Sequence, residues 1–268
     1  MDLQLTKKLA LVTGSTAGIG YAIAVGLARE GAEVIVNGRT QKAVDDAVAK
    51  LAADPLVKSS GGQLRGFAGD LSRTEVAADL FAKFPNVEIL VNNLGIFEPK
   101  PFEDIPDEDW IRFFEVNVLS GVRLARLYLP AMKRKNWGRI LFISSESAIQ
   151  IPAEMIHYGM TKTAQLAVAR GIAESVAKTG ITVNSILPGP TQSRGVTDFV
   201  GALGKASGKS FEETEKEFFE KARPSSLLQR FATPEEVANL VVYVASPLAS
   251  ATTGSALRVD GGTVRSIT

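Results

Sequence analysis

Tyr158 and Lys162 stand at the two ends of Tyr158-Gly159-Met160-Thr161-Lys162, a spacing that puts a phenol and an ammonium on one face of a helix. A phenol beside a fixed positive charge is a candidate proton donor or acceptor. The free phenol, with a pKa of about 10, is poorly matched to neutral pH, and moving it about three units requires roughly 4 kcal/mol of differential stabilisation of the phenolate. Ser145 ends an apolar run upstream of Tyr158, and Asn117 lies within Val116-Asn117-Val118. A second cluster, Thr13-Gly14-Ser15-Thr16-Ala17-Gly18-Ile19-Gly20, follows a short apolar run and leads into a helical pattern. Glycine is needed where a chain turns tightly and where backbone must approach a pyrophosphate at a helix N-terminus. The spacing is G-x3-G-x-G rather than G-x-G-x-x-G, and glycines in a turn also occur as plain structural punctuation.

The position that reads the adenosine ribose comes next. A site selective for NAD usually carries an acidic residue about 20 residues beyond the glycine loop. Here the second apolar run ends in Asn37-Gly38-Arg39-Thr40, with no carboxylate and with an arginine able to take a 2′-phosphate. NADP(H) is therefore expected over NAD(H), with NAD(H) possible; the alternative is that Arg39 is a solvated surface charge.

Composition narrows the remaining chemistry. The chain of 268 residues has no cysteine and one histidine, His157. Thiolate nucleophiles and cysteine metal sites are excluded, and acid–base work falls largely to Tyr, Lys, Asp or Glu. Neither a metal nor His157 is expected to be required; His157, beside Tyr158 on a helix, points about 100° away and reads as a packing or surface residue. With 30 Lys+Arg against 29 Asp+Glu, no global field points to nucleic acid or an anionic membrane. No apolar run approaches the roughly 20 residues that span a bilayer, and Leu9–Val12 is too short for a signal-peptide core. A cytoplasmic protein is expected.

The elements that must position these groups alternate along the chain. Strands are predicted over 9–13, 33–37, 63–68, 87–92, 139–144, 182–187 and 256–259, and helices over 19–30, 41–52, 73–84, 107–133, 158–178 and 234–245. Runs such as Ile140-Leu141-Phe142-Ile143 are continuous rather than alternating, as in strands covered on both faces. The predicted architecture is α/β: a three-layer, doubly wound Rossmann-type sandwich with a mainly parallel seven-stranded sheet, forming one domain over residues 1–268. Two segments break the rhythm. Residues 54–62 read as a surface insertion, and residues 192–231, with a charged helical stretch near 211–221, read as a substrate flap or else as a solvated hairpin or oligomer contact.

Together these residues resemble the short-chain dehydrogenase/reductase family, in particular its 3-oxoacyl carrier-protein reductase-like branch, over essentially the whole chain. Matching signatures are Thr13–Gly20, Asp70, Asn92-Asn93-Leu94-Gly95, Asn117, Ser145, Tyr158 with Lys162, Pro188-Gly189 and Asp260-Gly261-Gly262. Leu94 replaces the family's usual alanine, and Ser193 stands where a threonine is usual, with Thr191 nearby. The resemblance implies that Tyr158 is the general acid in ketone reduction and the base in alcohol oxidation. It further implies that Lys162 tunes Tyr158 and holds the nicotinamide ribose, that Ser145 donates to the substrate oxygen, and that Asn117 holds a water linking Lys162 to solvent. Gly14, Ser15, Gly18, Ile19 and Gly20 are implied at the phosphates, with Asp70, Leu71, Asn93 and Gly95 on the adenosine side, Pro188, Gly189 and Thr191 near the carboxamide and phosphates, and Tyr158 with Lys162 also at the cofactor.

The activity expected is an NADP(H)-dependent carbonyl reductase or alcohol dehydrogenase acting on a small molecule. Alternatives are a 3-oxoacyl carrier-protein reductase, a sugar or polyol dehydrogenase, and a catalytically silent NADP-sensing regulator. An enoyl reductase is disfavoured, because that branch separates its Tyr and Lys by six residues. Docking of an acyl carrier protein would need a basic rim, for which Arg194, Lys205, Lys209, Arg223 and Arg230 are candidates, diluted by the glutamates of 212–220. The family implies a homo-oligomer, a tetramer or dimer.

Overall fold

Continuous apolar runs become strands buried on both faces, and strands of that kind pair in parallel under helices on either side. The computed structural model of the chain describes residues 1–192 and 208–267. Its strands are β1 (Leu9–Val12), β2 (Glu33–Gly38), β3 (Gln63–Ala68), β4 (Ile89–Asn92), β5 (Gly138–Ile143), β6 (Ile181–Pro188) and β7 (Ala256–Val259). They form one sheet in the order β3-β2-β1-β4-β5-β6-β7, every pair parallel. The strand order reverses between β1 and β4, so the helices leaving the two strands diverge and a crevice opens at their C-terminal ends.

Alternate residues of each central strand supply the two faces. Ala10, Val12, Val34, Val36, Ile89 and Val91 pack against α1 (Gly18–Arg29) and α9 (Pro234–Val244) through Ile23, Leu27, Val237 and Val241. Leu11, Ile35, Leu90, Ile140 and Phe142 pack against α4 (Thr74–Lys83), α6 (Ser120–Lys135) and α7 (Ile156–Ser175) through Leu80, Leu124, Tyr128 and Ala169. Each fully buried aliphatic side chain is worth about 1.5–3 kcal/mol, so this patterning fixes which face every strand shows. Among the described residues no helix is long and apolar enough to cross a membrane.

Two expectations change in detail. The helix predicted over 107–133 is α5 (Asp107–Phe114) and α6 separated by one wide π-type turn, Glu115–Leu119. The insertion at 54–62 contains a helix, α3 (Pro55–Ser60), which Asp54 caps through the Leu56 and Val57 N–H groups and which buries Val57 against the core. The remaining helices are α2 (Gln41–Ala53), capped by Thr40, and α8 (Phe211–Lys221). Ser210 and Glu213 form a reciprocal capping box at the start of α8, and Phe219 buries against Phe231. Of the segment read as a flap, residues 193–207, with Ser193, Arg194 and Lys205, lie outside the described residues.

Candidate active site

The glycine loop is held from beneath by side chains of two neighbouring strand ends. Asn37 accepts from Gly14 N–H at 3.1 Å and donates to the Phe67 and Gly69 carbonyls. Asn93 donates to the carbonyls of Thr13 and Gly14, each at 3.0 Å, while the Thr13 hydroxyl accepts from the Asn93 and Leu94 N–H groups. Ser15 is fully buried; its hydroxyl donates to Val12 C=O at 2.7 Å and accepts from Asn37 N–H at 2.9 Å. Gly14 and Gly18 adopt φ of 59° and 58°. At Gly20 a Cβ would lie 2.4 Å from both Asn93 Nδ2 and Gly14 O, so only glycine lets α1 start this close to the loop. Ala17, which precedes α1, makes no side-chain cap, leaving the first-turn donors open to an anion.

From this loop a cavity of about 880 Å³ runs along the strand ends to Tyr158 and Lys162. Gly18, Ile19, Gly20, Asn93, Gly95, Ser145, Tyr158, Lys162, Pro188, Gly189 and Thr191 all line it. Lys162 is buried and donates to Ile143 C=O at 2.9 Å, with Gln165 Oε1 at 3.4 Å. Its Nζ lies 5.5 Å from the centre of the Tyr158 ring, which Phe97 meets edge-on. Ser145 ends the loop after β5; its hydroxyl donates to the Glu146 carboxylate and accepts from Ser147 N–H.

Asn117 stands one shell behind the cavity, in the wide turn between α5 and α6. Its amide clamps the backbone of Ile96, accepting from the N–H at 2.8 Å and donating to the C=O at 3.0 Å, and donates also to Thr161 Oγ1. The extra residue of the turn presents the Asn117 carbonyl sideways, where Gln165 Nε2 donates to it at 2.6 Å.

Burial sets the electrostatics. It pushes the Tyr158 phenol well above its usual range; the Glu146 carboxylate pushes the same way, while Ser145 and Arg223 act against them. Burial likewise lowers Lys162 to about 8, with Glu146 opposing. The Lys162 ammonium is turned to the Ile143 carbonyl, beside the Tyr158 ring rather than in contact with its hydroxyl.

Six of the expected residues lie off the cavity wall. Gly14 and Ser15 form the underside of the loop, and Asn117 acts through Ile96. Arg39 is exposed just beyond β2, Asp70 accepts from Ser72 N–H and Oγ, and Leu71 is buried in the core. His157 is a packing residue, buried against Phe113 with ring centroids 4.0 Å apart. Three site residues escaped the sequence reading: Glu146, Gln165, and Arg223 as a partner of Glu146 rather than a rim charge. A carboxylate next to Ser145, and a polar residue three positions after Lys162 on the same helix, were the available signals. Of the basic residues proposed for a carrier-protein rim, Lys209, Arg223 and Arg230 each engage a glutamate of this chain.

Residues 14–264 match a family model described as enoyl-(acyl carrier protein) reductase. The chain is 48% identical over 267 residues, covering 100% of both proteins, to an uncharacterized oxidoreductase, YvaG, of Bacillus subtilis. It is 35% identical over 265 residues to a D-beta-hydroxybutyrate dehydrogenase of Cupriavidus necator, covering 97% of this chain and 99% of that one. Among solved structures it superposes on L-sorbose reductase from Gluconobacter frateurii, complexed with NADPH and L-sorbose, with a TM-score of 0.92 at 31% identity and full coverage of both chains. With the parallel sheet, the glycine loop and the Ser145, Tyr158 and Lys162 cluster on one crevice, the chain belongs to the short-chain dehydrogenase/reductase family of oxidoreductases acting on alcohol and carbonyl groups.

Proposed function

We propose that the chain is an NADP(H)-dependent reductase of a small-molecule carbonyl, with Tyr158 as the proton donor. The observation that carries this reading is that the phenol of Tyr158, the hydroxyl of Ser145 and the ammonium of Lys162 share the wall of the cavity that begins at the glycine loop. A dinucleotide fits the donors present: the close approach of α1 to the loop, which only glycine at position 20 permits, brings the first turn of α1 to the cavity, and that turn carries no side-chain cap. When bound, the cofactor supplies the hydride.

The chain's own groups do the rest. The N–H groups of Gly18, Ile19 and Gly20 bind the phosphates, Gly14 and Ser15 shape the loop, and Arg39 takes the 2′-phosphate. Asp70, Leu71, Asn93 and Gly95 border the adenosine, and Pro188, Gly189 and Thr191 the carboxamide. Tyr158 Oη, protonated at neutral pH, gives its proton to the substrate oxygen; Ser145 Oγ donates a hydrogen bond to the same oxygen as charge builds there. Lys162 holds the positive charge that steadies the phenolate left behind. Asn117 fixes the Ile96 backbone at the cavity wall, and the flap, through α8, covers the substrate. The pairing of Lys209, Arg223 and Arg230 with glutamates favours a small free substrate over one carried on an acidic acyl carrier protein.

The test is consumption of NADPH against ketones, sugars and 3-oxoacyl thioesters, repeated with NADH and with Tyr158→Phe. Turnover preferring NADPH, lost in the variant while NADPH still binds, is expected. No turnover with any carbonyl would leave the cofactor-sensing regulator as the better reading.

A further inference from the structure

Glu146 directly follows Ser145, and its side chain is 7% exposed on the wall of the catalytic cavity. A carboxylate offers about four acceptor positions. Among the described residues two donors reach it: the Ser145 hydroxyl on Oε2, and Arg223 Nε at 3.4 Å from Oε1. Arg223 is itself shared, with Nη1 3.1 Å from Glu154 Oε1. The same cavity wall carries the apolar side chains of Ile96, Phe97, Met155 and Phe218, of which Phe97 meets the Tyr158 ring edge-on. A buried carboxylate in such surroundings is held only while its donors remain.

This arrangement conflicts with the role proposed for Ser145. A serine hydroxyl has one proton, and here it is directed at Glu146. It cannot at once donate to a substrate carbonyl. A simple ketone would have to draw that proton away and leave Glu146 short of a donor in a desolvated site. A substrate with a hydroxyl on the carbon next to the carbonyl resolves both demands. Its hydroxyl donates to Glu146, and the released Ser145 proton turns to the carbonyl oxygen. An anionic group at this place would meet Glu146 and Glu154, whose one intervening guanidinium is already engaged by both.

We propose that Glu146 is a specificity-determining residue that selects α-hydroxy carbonyl substrates, such as ketoses and hydroxyketones, over simple ketones, and that Arg223 positions it. This rests on the carbonyl-reductase reading. The redox step itself is unaltered: hydride from NADPH forms the new C–H bond at the carbonyl carbon, the carbonyl π bond opens, the Tyr158 proton goes to the oxygen, and the nicotinamide is oxidised.

The experiment measures kcat/KM with NADPH for matched pairs, acetoin against 2-butanone and 2-hydroxycyclohexanone against cyclohexanone, in the wild-type protein and in Glu146→Leu, with NADPH binding followed by fluorescence. The wild type is expected to favour each hydroxyketone by about 100-fold or more, since sites built around a substrate hydroxyl reject analogues that lack it. In Glu146→Leu the preference should fall by at least tenfold, mainly through loss of the hydroxyketone, with NADPH binding retained. Equal wild-type kcat/KM within the pairs, or an undiminished preference in Glu146→Leu, overturns the proposal; the wild-type ratio decides it alone if that variant does not fold. Simple ketones reduced as well as hydroxyketones would sink this inference while leaving the carbonyl-reductase reading intact, whereas no turnover of any carbonyl would overturn both.

Discussion

Gln165 bridges Lys162 and Asn117: its Oε1 lies 3.4 Å from the Lys162 ammonium and its Nε2 donates at 2.6 Å to the Asn117 carbonyl. An amide thus joins the lysine to the wide turn, and an amide can position a charge by accepting from one group and donating to another. Gln165→Leu would leave both partners short of a hydrogen bond in a buried place. The expected result is a fall in kcat of about tenfold, the loss typical of one hydrogen bond to a charged group, with little change in KM for NADPH. Gln165→Glu separates positioning from packing. Lys162, lowered to about 8, loses its charge as pH rises through that value, so wild-type kcat/KM should decline above it. A carboxylate at 165 raises the lysine pKa and should move that decline to higher pH; an unmoved profile would show that Gln165 only fills space.

Gly20 lets the loop and α1 close together, and a methyl there cannot be accommodated without displacing Gly14 or Asn93. Gly20→Ala is expected to lower stability by about 1–3 kcal/mol and to weaken NADPH binding more than tenfold. Gly171, inside α7, is the control: a Cβ there meets nothing within 4 Å. Gly171→Ala should be neutral or stabilise by up to about 1 kcal/mol, with unchanged NADPH binding. Thermal melts and a fluorescence titration check both, and equal NADPH affinity in the two variants would refute the role of the tight loop–helix approach in cofactor binding.

The strands and the Tyr158/Lys162 pair were legible in the sequence because each is a local signal: an uninterrupted apolar run, or two residues one helical turn apart. The glycine loop was legible for the same reason, though not the dependence of its shape on Asn37 and Asn93. The role of Glu146 was not, because it rests on Arg223, which is 77 residues away in sequence and reaches the site only through the path of α8. Nor was the wide turn at Asn117: the hydrophobic pattern of 107–133 continues through it, and one extra residue in a turn leaves no mark on a period that short. The direction of the Lys162 ammonium, toward Ile143, is set by where burial leaves an unpaired carbonyl, which only the folded sheet defines.

Arg39 is exposed beyond the end of β2 and, among the described residues, engages no carboxylate of the chain. A charge-assisted bond to a 2′-phosphate contributes about 1.5–3 kcal/mol. Arg39→Asp removes it and adds repulsion, so NADPH affinity should fall at least tenfold while NADH affinity holds or improves. Unequal titration of the two cofactors is the expected outcome; an unchanged ratio would mean that Arg39 is a solvated charge.

His157 gives the protein a pH-dependent stability of calculable sign. It is fully buried, neither ring nitrogen has a hydrogen-bond partner, and it packs on Phe113 and, at 6.0 Å, on Trp110. Burial lowers its pKa; Asp109 and Glu98 act to raise it, and Lys100 and Arg112 act with burial. The unfolded chain, with a histidine pKa of about 6.5, therefore binds a proton before the folded one does. Stability from this residue is full above that value, is lost as pH falls from it toward the lower folded value, and changes no further below. The greatest loss is about 1.4 kcal/mol for each pH unit inside that window, which for a chain of this size is a fall in Tm of roughly 2–3 °C. Because His157 is the only histidine, His157→Phe, which keeps an aromatic ring against Phe113, isolates the effect. Between pH 7.5 and 5.5 the wild-type Tm should drop by more than that of the variant, and parallel Tm curves would show that the ring stays uncharged in both states or gains a partner on folding.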